Sequence, residues 1–349
     1  MSVLDFSKPI TQRDIARALG VSVATVSLAL RNRPVLSEST RREIQEFAIR
    51  AGYRLDVAAA ELSGRKKSPA NHAITESIAW VTLRSSGETS TVHRRLDDCR
   101  AGAEIAAKNL GYRLEEFELG PGLTPARLHQ ILRARGIRCI LLSPKSEVLD
   151  WKDFPWACYA VARFGQSELL SAFHSVSSDH VGNVVKAFRA ILSRGYRRIG
   201  FLTRETGVAD CEGHLIEAGF LTAQRLVEEE SRIPLCVVRN PYEAASITTW
   251  VKKHRVEAIL SDLSEAPVLL KKAGLRVPQD LGLAMLKVGG LPFFSGIHPH
   301  PEEIGKTGVH LLHSLVTDNV RGITEAPRQL LVNGIWVDGS SLPERQAFV

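Results

Sequence analysis

The chain has 349 residues, of which 44% are hydrophobic and 24% charged, and this composition excludes wholesale disorder and fibrous repeats. It shows neither a secretory leader nor a run of about 18 uncharged apolar residues, so we expect a cytoplasmic protein that does not enter a membrane. The net charge of +7 is concentrated in residues 1–67, which hold twelve Lys/Arg against seven Asp/Glu. Such an excess is typical of contact with an anionic partner such as nucleic acid.

Residues 11–30 predict two short helices joined by a tight turn. Thr11 is placed to cap the first helix, with Asp14 completing a capping box, and Gly20 permits the left-handed conformation that ends it. Ser22 then caps the second helix, which runs to about Leu30. Its core face carries Val26 and Leu30, and its outer face carries Ser22, Val23, Ala24, Ser27 and Leu28. A helix with small exposed side chains can enter a DNA major groove closely, so the pair predicts a helix-turn-helix.

A third predicted helix, capped by Ser37 and ending at Gly52, completes a three-helix core. The alanine-rich stretch that follows, YRLDVAAAELSGRKK, is too short to be stable alone and suits a helix that forms only on binding. The best linker candidate is GRKKSPANHAITES at residues 64–77, which has little apolar periodicity. An ordinary helical lid with a solvated basic face is the alternative for this whole region.

Beyond residue 77, short apolar runs alternate with amphipathic stretches in two rounds that meet near Val161. The first round contains IAWVTL, YRLEEF, CILLS and WACYAV, and the second contains FHSVSSD, RIGFLT, LCVVR, AILSD and LGLAML. Continuous apolar strands between helices indicate parallel sheets covered on both faces, so we predict two doubly wound lobes. Open parallel sheets bind ligands outside the carboxyl ends of their strands, which makes the cleft between the lobes the expected small-molecule site.

Residues 11–62 resemble the DNA-binding headpiece and hinge of the LacI/GalR family, whose members carry a T-x-x-D-[IV]-A-x-x-x-G-V-S-x-x-T-V-S core. The matching positions are Thr11, Asp14, Ile15, Ala16, Gly20, Val21, Ser22, Thr25, Val26 and Ser27. The lobes resemble that family's periplasmic-binding-protein-like core through scattered pieces such as SSDHVGNVVKAFRAILSRGYRRIGFL. The resemblance implies an α/β fold, with an all-α helix-turn-helix headpiece followed by two doubly wound parallel-sheet lobes.

The resemblance also implies domain boundaries. The headpiece is expected at residues 1–54, the hinge helix and linker at 55–77, and a two-lobed effector-binding and dimerisation core at 78–349. Within the core, lobe 1 is expected at about 78–161 and 290–326, and lobe 2 at about 162–289 and 327–340.

In the family the second helix reads the major groove. Carried over residue by residue, the implied DNA-binding positions are Thr11, Ser22, Val23, Ala24, Thr25, Ser27, Arg31, Ser37, Thr40, Tyr53, Ala59 and Leu62. Val23 and Ala24 occupy the two variable reading positions, where apolar contact with a thymine methyl group is the chemistry they permit. Ala59 and Leu62 match hinge positions that enter the minor groove.

Two departures from the family concern the effector site. Ile216 stands where the family often has an arginine, and Lys287 stands where it often has an aspartate, so the usual sugar contacts cannot be carried over. The candidates that remain lie at predicted strand ends and are Arg84, Arg163, Asp179, Arg204, Asp262 and Lys287. For each of them a helix cap or a surface ion pair is the alternative role.

The function implied by the resemblance is repression by a homodimer that binds a pseudopalindromic double-stranded DNA operator. Its affinity for DNA would be set by a small-molecule effector, a sugar or related metabolite. We expect no cofactor, no metal site and no enzymatic activity, because nucleotide-binding, hydrolase and zinc-protease motifs are absent. Two alternatives stay open: a constitutive DNA binder whose core has lost its ligand, motivated by Ile216 and Lys287, and an enzyme with its active site between the lobes.

Overall fold

The computed structural model describes residues 11–30, 36–51, 76–83, 90–143, 151–166, 171–207, 210–239, 244–289 and 292–345. The chain divides into two compact units, Met1–His72 and Ala73–Val349. The predicted headpiece boundary at residue 54 and most of the linker at 55–77 lie outside the described residues. Within the described ranges, no helix has the length and apolar character needed to cross a membrane.

Three helices form the described part of the N-terminal unit: α1 (Gln12–Leu19), α2 (Val23–Leu30) and α3 (Glu38–Arg50). Their apolar side chains recur three and four residues apart, so each helix presents one stripe to a shared core. The buried members of that core are Ile15, Ala16, Val26, Ala29, Ile44 and Ala48. The predicted three-helix core is confirmed, although Ala29 rather than Leu30 is the second buried side chain of α2.

The described part of the larger unit contains twelve strands and seven α-helices. The strands are β1 (Glu76–Leu83), β2 (Tyr112–Leu119), β3 (Cys139–Leu142), β4 (Ala160–Phe164), β5 (His174–Ser178), β6 (Ile199–Arg204), β7 (Cys236–Val238), β8 (Ala258–Ser261), β9 (Gly282–Met285), β10 (Ser295–His298), β11 (Gln329–Val332) and β12 (Ile335–Val337). The helices are α4 (Ser90–Asn109), α5 (Pro125–Ala134), α6 (His180–Ser193), α7 (Cys211–Ala223), α8 (Ala244–His254), α9 (Ala266–Lys272) and α10 (Pro301–Thr317).

The first sheet, which defines lobe 1, has six parallel strands in the order β11, β5, β4, β3, β1, β2. Successive side chains of β1 point to opposite faces, so Ile78 and Trp80 join one core cluster while Ala79 and Val81 join another. Helices α4 and α10 cover the first face, and α5 covers the second. Burial on both faces explains why the central strands β1, β3 and β4 are largely apolar runs, whereas the edge strands β2 and β11 are partly exposed.

The second sheet, which defines lobe 2, has the order β12, β10, β9, β8, β6, β7. Its described pairs are parallel except β10 with β12, where Gly296 lies opposite Val337 in an antiparallel register. Helices α6 and α7 pack on one face through Phe188 and Phe220, and α8 and α9 cover the other face. The predicted doubly wound architecture is confirmed for both lobes.

Strand pairing corrects the predicted lobe boundaries. The expected end of lobe 1 at residue 161 is wrong, because β4 continues to Phe164 and β5 also pairs within the first sheet. The expected place of β11 in lobe 2 and of β10 in lobe 1 is reversed, since β11 pairs with β5 and β10 pairs with β9. Hydropathy identifies a strand, but it does not identify the distant segment with which that strand pairs.

The chain passes between the lobes three times: after β5, after β10, and between β11 and β12. The first two crossings lead into α6 and α10. In lobe 1, α10 packs very closely on α4. Two positions therefore require glycine, since a Cβ at Gly102 would clash with the backbone of Glu302 and a Cβ at Gly305 would clash with the carbonyl of Cys99. This close approach fixes the part of lobe 1 that faces the cleft.

Candidate functional sites

The first helix of the N-terminal unit is fixed at both ends. Thr11 Oγ1 donates a hydrogen bond to Asp14 Oδ2 at 2.6 Å, and Asp14 N donates to Thr11 Oγ1 at 3.4 Å. The side-chain and backbone hydrogen bonds from Thr11 hold the pKa of the Asp14 carboxyl below its usual value. Gly20 ends the helix in the left-handed conformation, with a φ of 68°. The predicted capping box and stop signal of α1 are both present.

The second helix exposes its first turn. Ser22 Oγ accepts a hydrogen bond from Thr25 N at 3.0 Å and so caps α2, as the sequence predicts. Val23 is 42% exposed and Ala24 is also exposed, whereas Val26 is fully buried in the three-helix core. Two small apolar side chains thus project from a helix whose opposite face is held by packing.

A hydroxyl group lies at the N-terminus of each of the three described helices of this unit. Ser37 Oγ accepts a hydrogen bond from Thr40 N at 3.2 Å and lies 2.7 Å from Thr40 Oγ1. Ser22 Oγ lies 2.8 Å from Thr25 Oγ1 in the same arrangement. Helix N-termini and hydroxyl side chains are groups that bind phosphate oxygens, so these caps are suited to position a DNA backbone.

Several predicted site residues have no structural description. Arg31, Tyr53, Ala59, Leu62 and Arg84 lie outside the described residues. Ser27, which is described, is half-buried on α2.

A cavity of about 440 Å³ lies between the lobes of the larger unit, at the carboxyl ends of the parallel strands. Lobe 1 lines it with Leu96, Cys99, Phe164, Gly165, Ser177, Ser178, Pro301 and Ile304. Lobe 2 lines it with His180, Asn183, Asp210, Glu212, Gly213, Ile216, Asp262, Leu286 and Lys287, and Pro299 lies at a crossing between the lobes. The position agrees with the cleft predicted from the strand pattern, and the volume is typical of small-molecule sites.

The two walls of the cavity differ in chemistry. The lining residues of lobe 1 are apolar or uncharged, and burial raises the pKa of the Cys99 thiol to about 12, so this group is also uncharged at neutral pH. In lobe 2, Lys287 Nζ donates a hydrogen bond to Glu212 Oε1, and His180 Nδ1 lies 4.0 Å from the same oxygen. Lys287 follows β9, Glu212 lies in the first turn of α7, and His180 is the first residue of α6, so one polar cluster joins three elements of lobe 2.

Asp262, which follows β8, differs from the other charged groups of the cavity. Its Oδ1 is buried and has no hydrogen-bond partner among the described residues. Burial raises the pKa of this carboxyl above its usual value, against the opposing effects of Lys287 and of a hydrogen bond with Thr203. A buried carboxylate oxygen without a partner is unfavourable, which agrees with the raised pKa of this carboxyl.

The cavity brings together two of the predicted effector residues, Asp262 and Lys287. Arg163 is not among the lining residues: it is only 3% exposed, and its Nη1 donates to the carbonyl of Gly165 at 2.8 Å. Arg163 therefore holds the backbone of Gly165, which does line the cavity. Ile216, the first departure from the family, lines the cavity and belongs to the apolar core of lobe 2.

Two other predicted effector residues have structural roles instead: Asp179 is a helix cap and Arg204 forms an ion pair. Asp179 caps α6, since its Oδ1 accepts a hydrogen bond from Gly182 N at 2.9 Å. Arg204, at the end of β6, forms an ion pair with Glu265 and is not among the residues that line the cavity.

Sequence reasoning missed His180, Asn183 and Glu212. Asn183 Nδ2 donates to Ser178 Oγ at 2.9 Å, and its Oδ1 accepts from Gly334 N at 2.8 Å, so it connects the first and third crossings between the lobes. The three residues lie in the first turn of helices that follow strands, just after a capping aspartate. That position is a usable signal, because the first turn after a strand faces the cleft of a doubly wound fold.

In the part of the chain that the structure describes, no group of three or more His, Cys, Asp or Glu side chains is arranged to hold a metal ion. The rings of His298 and His300 contact each other edge to face, with centroids 4.8 Å apart.

Comparison with known proteins matches both units. Residues 11–55 match the family described as "Bacterial regulatory proteins, lacI family", and residues 188–342 match "Periplasmic binding protein-like domain". The HTH-type transcriptional regulator GalS of Salmonella typhimurium is 26% identical over 201 residues, which are 58% of this chain. The matched region spans 56% of the length of that relative.

Solved structures share the fold over most or nearly all of the chain. A transcriptional regulator CelR–cellobiose complex has a TM-score of 0.53 at 17% identity, covering 95% of this chain and 99% of that chain. The lac repressor dimer bound to operator and the anti-inducer ONPF has a TM-score of 0.52 at 16% identity, covering 96% and 100%. The regulator CCPA from Weissella paramesenteroides with bound glucose has a TM-score of 0.53 at 14% identity, covering 77% and 99%.

Proposed function

The chain belongs to the LacI family of bacterial regulatory proteins, and from this premise we propose that it is a sequence-specific DNA-binding regulator controlled by a small molecule. It acts as a homodimer on a pseudopalindromic operator and represses the genes beside that operator. The observation that carries the proposal is the exposed first turn of α2, which projects from a buried three-helix core.

The small side chains of that turn suit it to read a major groove. Val23 and Ala24 let the helix backbone approach the base edges closely, and neither offers a hydrogen bond. Thymine methyl groups are therefore the base features that they select. Thr25, Ser27, Ser37 and Thr40 bind phosphates and set the register.

Thymine-to-uracil exchange in an operator selected from random DNA tests this contact. Removing the methyl group at a base that Val23 touches should weaken binding by about 0.8 kcal/mol, roughly fourfold, as measured by fluorescence anisotropy. The same exchange should have little effect on a Val23→Ser variant, which lacks the apolar partner. Insensitivity of the unmodified protein to uracil at every thymine of the half-site would contradict the proposed reading mode.

We also propose that the protein is a dimer and that it represses transcription. The lac repressor structure, which shares this fold, holds a dimer bound to its operator. A two-fold dimer presents two identical headpieces, which requires two related half-sites in the DNA. Repression follows when such a site overlaps the path of the polymerase.

Ligand control is supported by the cavity between the lobes. Its volume of about 440 Å³ accommodates a small metabolite, and proteins with the same fold hold cellobiose and glucose. We propose that a sugar or related metabolite binds there and favours one arrangement of the lobes. The ligand then changes DNA affinity by as much as its own affinity differs between the two arrangements.

A constitutive DNA binder is the second candidate, because two side chains of the cavity depart from the family. Ile216 is 3% exposed in the lobe 2 core, and Lys287 is paired with Glu212. Thermal unfolding of the full chain with a panel of sugars and metabolites separates the two candidates. A concentration-dependent rise in Tm with one compound supports ligand control, whereas no rise with any compound and an unchanged operator affinity support the constitutive binder.

A further inference from the structure

We propose that α2 recognises the C5-methyl group of pyrimidines in the major groove, so that 5-methylcytosine takes the place of thymine in its operator. The inference rests on the proposed DNA-binding function. It goes beyond that function by adding cytosine-methylated DNA as a second class of target.

The outer surface of α2 contains a third apolar side chain. Leu28 follows Ala24 by four residues, so the two side chains are neighbours on the helix. Leu28 is partly exposed, and it is not among the described side chains that pack against the three-helix core, whereas Leu30 is. At about 100° per residue, Val23, Ala24 and Leu28 lie within an arc of about 140°, and they form the apolar face of α2.

The hydrogen-bonding groups of α2 do not distinguish one pyrimidine from another. The helix, VATVSLAL, contains no charged side chain and no amide side chain. Thr25 Oγ1 lies 2.8 Å from Ser22 Oγ within the helix cap. Ser27, which lies in the same arc as the apolar face, has a hydroxyl group that both donates and accepts. This hydroxyl can therefore bond the O4 acceptor of thymine or the N4 donor of cytosine.

The methyl group is the difference that an apolar face can detect. Thymine carries it at C5 in the major groove, and cytosine and uracil do not. In 5-methylcytosine the same methyl group occupies the same position. Contact with one methyl group contributes about 0.8 kcal/mol, or roughly fourfold in affinity. The apolar face should therefore group thymine with 5-methylcytosine, and uracil with cytosine.

Sensitivity to cytosine methylation follows from this grouping. A half-site in which cytosine replaces a contacted thymine should bind weakly, because the apolar face then meets no methyl group. Methylation of that cytosine at C5 should restore the contact without any change in base sequence. The helical unit would thus respond to a chemical mark on the DNA, independently of a ligand in the cavity of the larger unit.

Four pyrimidines at one position of an operator selected from random DNA test the proposal. Thymine, uracil, cytosine and 5-methylcytosine are placed in one half-site, so that the other half-site still holds the protein, and binding is measured by fluorescence anisotropy. Cytosine and 5-methylcytosine both pair with guanine, so their comparison isolates the methyl group. At a position where uracil weakens binding, 5-methylcytosine should bind roughly fourfold more tightly than cytosine. Equal or weaker binding of 5-methylcytosine would overturn the proposal.

The variants Val23→Ser and Leu28→Ala assign the methyl effect to side chains of the apolar face. Each should abolish the advantage of 5-methylcytosine over cytosine at the position that its own side chain touches, because the apolar partner is lost or shortened. The matched control is Ala18→Ser, at an exposed position of α1, where the fourfold advantage should persist. A full advantage at every position in both α2 variants would overturn the assignment to the apolar face. The comparison of the four pyrimidines on the unmodified protein tests the methyl preference even if a variant fails to fold.

The same measurements separate the two levels of inference. If the protein selects an operator and responds to uracil but not to 5-methylcytosine, recognition of methylated cytosine is wrong and the DNA-binding function stands. If no operator is selected from random DNA, the proposed function is wrong and the inference fails with it.

Discussion

The N-terminal helical unit and the two-lobed unit present their candidate contacts in opposite ways. In the helical unit the candidate DNA contacts among the described residues come from one short stretch, Thr11 to Thr40. They face outward from a core of six buried side chains. In the two-lobed unit the cavity is lined by residues as distant in sequence as Leu96 and Ile304. The first site depends on local spacing, whereas the second depends on which strands are neighbours. DNA contact and ligand contact should therefore respond to different changes.

The largest expected effect is the loss of operator binding when residues 1–67 are removed. Specific operator binding should fall by at least about a thousandfold, because the proposed base and phosphate contacts all lie in the deleted part. The remaining chain keeps every described element from β1 onward and should unfold cooperatively in a circular dichroism melt. Operator binding by the truncated protein at moderate salt would show that the headpiece assignment is wrong.

The substitution Ile15→Ala should break the helical unit without touching the lobes. Ile15 is fully buried in a small core, so its truncation should destabilise that unit by roughly 2–5 kcal/mol. Differential scanning calorimetry should show the loss of an early transition while the main transition keeps its Tm. Ala18→Ser, at an exposed position of α1, is the matched control. An equal fall in the stability of both units would mean that they do not fold independently.

Leu62→Ala tests the hinge, which lies outside the described residues. If the leucines of two subunits wedge into a minor-groove step, specific binding should weaken by about 1–3 kcal/mol, by analogy with the loss of a matched base pair. Non-specific binding and the Tm of the free protein should barely change. A clear fall in Tm with operator affinity intact would instead indicate that Leu62 packs against the protein.

The smallest expected effect is the loss, at acid pH, of the stabilisation that the Asp14 carboxylate gives to α1. Its pKa in the folded state is depressed by the hydrogen bonds from Thr11, so the carboxylate stabilises α1 above the unfolded-state pKa of about 3.9. That stabilisation is lost as the pH falls through the lower, folded-state pKa. The stability difference between the unmodified protein and Asp14→Asn should thus shrink below about pH 4 in thermal melts followed by circular dichroism. A difference that stays constant from neutral to acid pH would argue against the capping box.

The sequence predicts the caps of the helical unit correctly because each of them involves residues no more than four positions apart. Thr11 with Asp14 and Ser22 with Thr25 are examples. It also predicts the buried central strands, β1, β3, β6, β8 and β9 among them, since burial on both faces leaves a continuous hydrophobic run.

The sequence does not predict which lobe holds β10 and β11, because their partners β9 and β5 are identified by pairing and not by composition. The candidate site also depends on contacts between segments that are distant in sequence. Asp262 and Lys287 stand just after strands and are predicted as site residues, whereas His180 and Glu212 are not. Their proximity to Lys287 follows from the packing of α6 and α7 on one sheet.

Hydroxyl-radical footprinting of the full chain on a DNA fragment selected from a random pool tests the central claim most directly. A two-fold dimer of headpieces should protect two related half-sites on one face of the duplex, with centres about 10–10.5 base pairs or a multiple of that distance apart. A single asymmetric protected region of the size of one headpiece would contradict the claim.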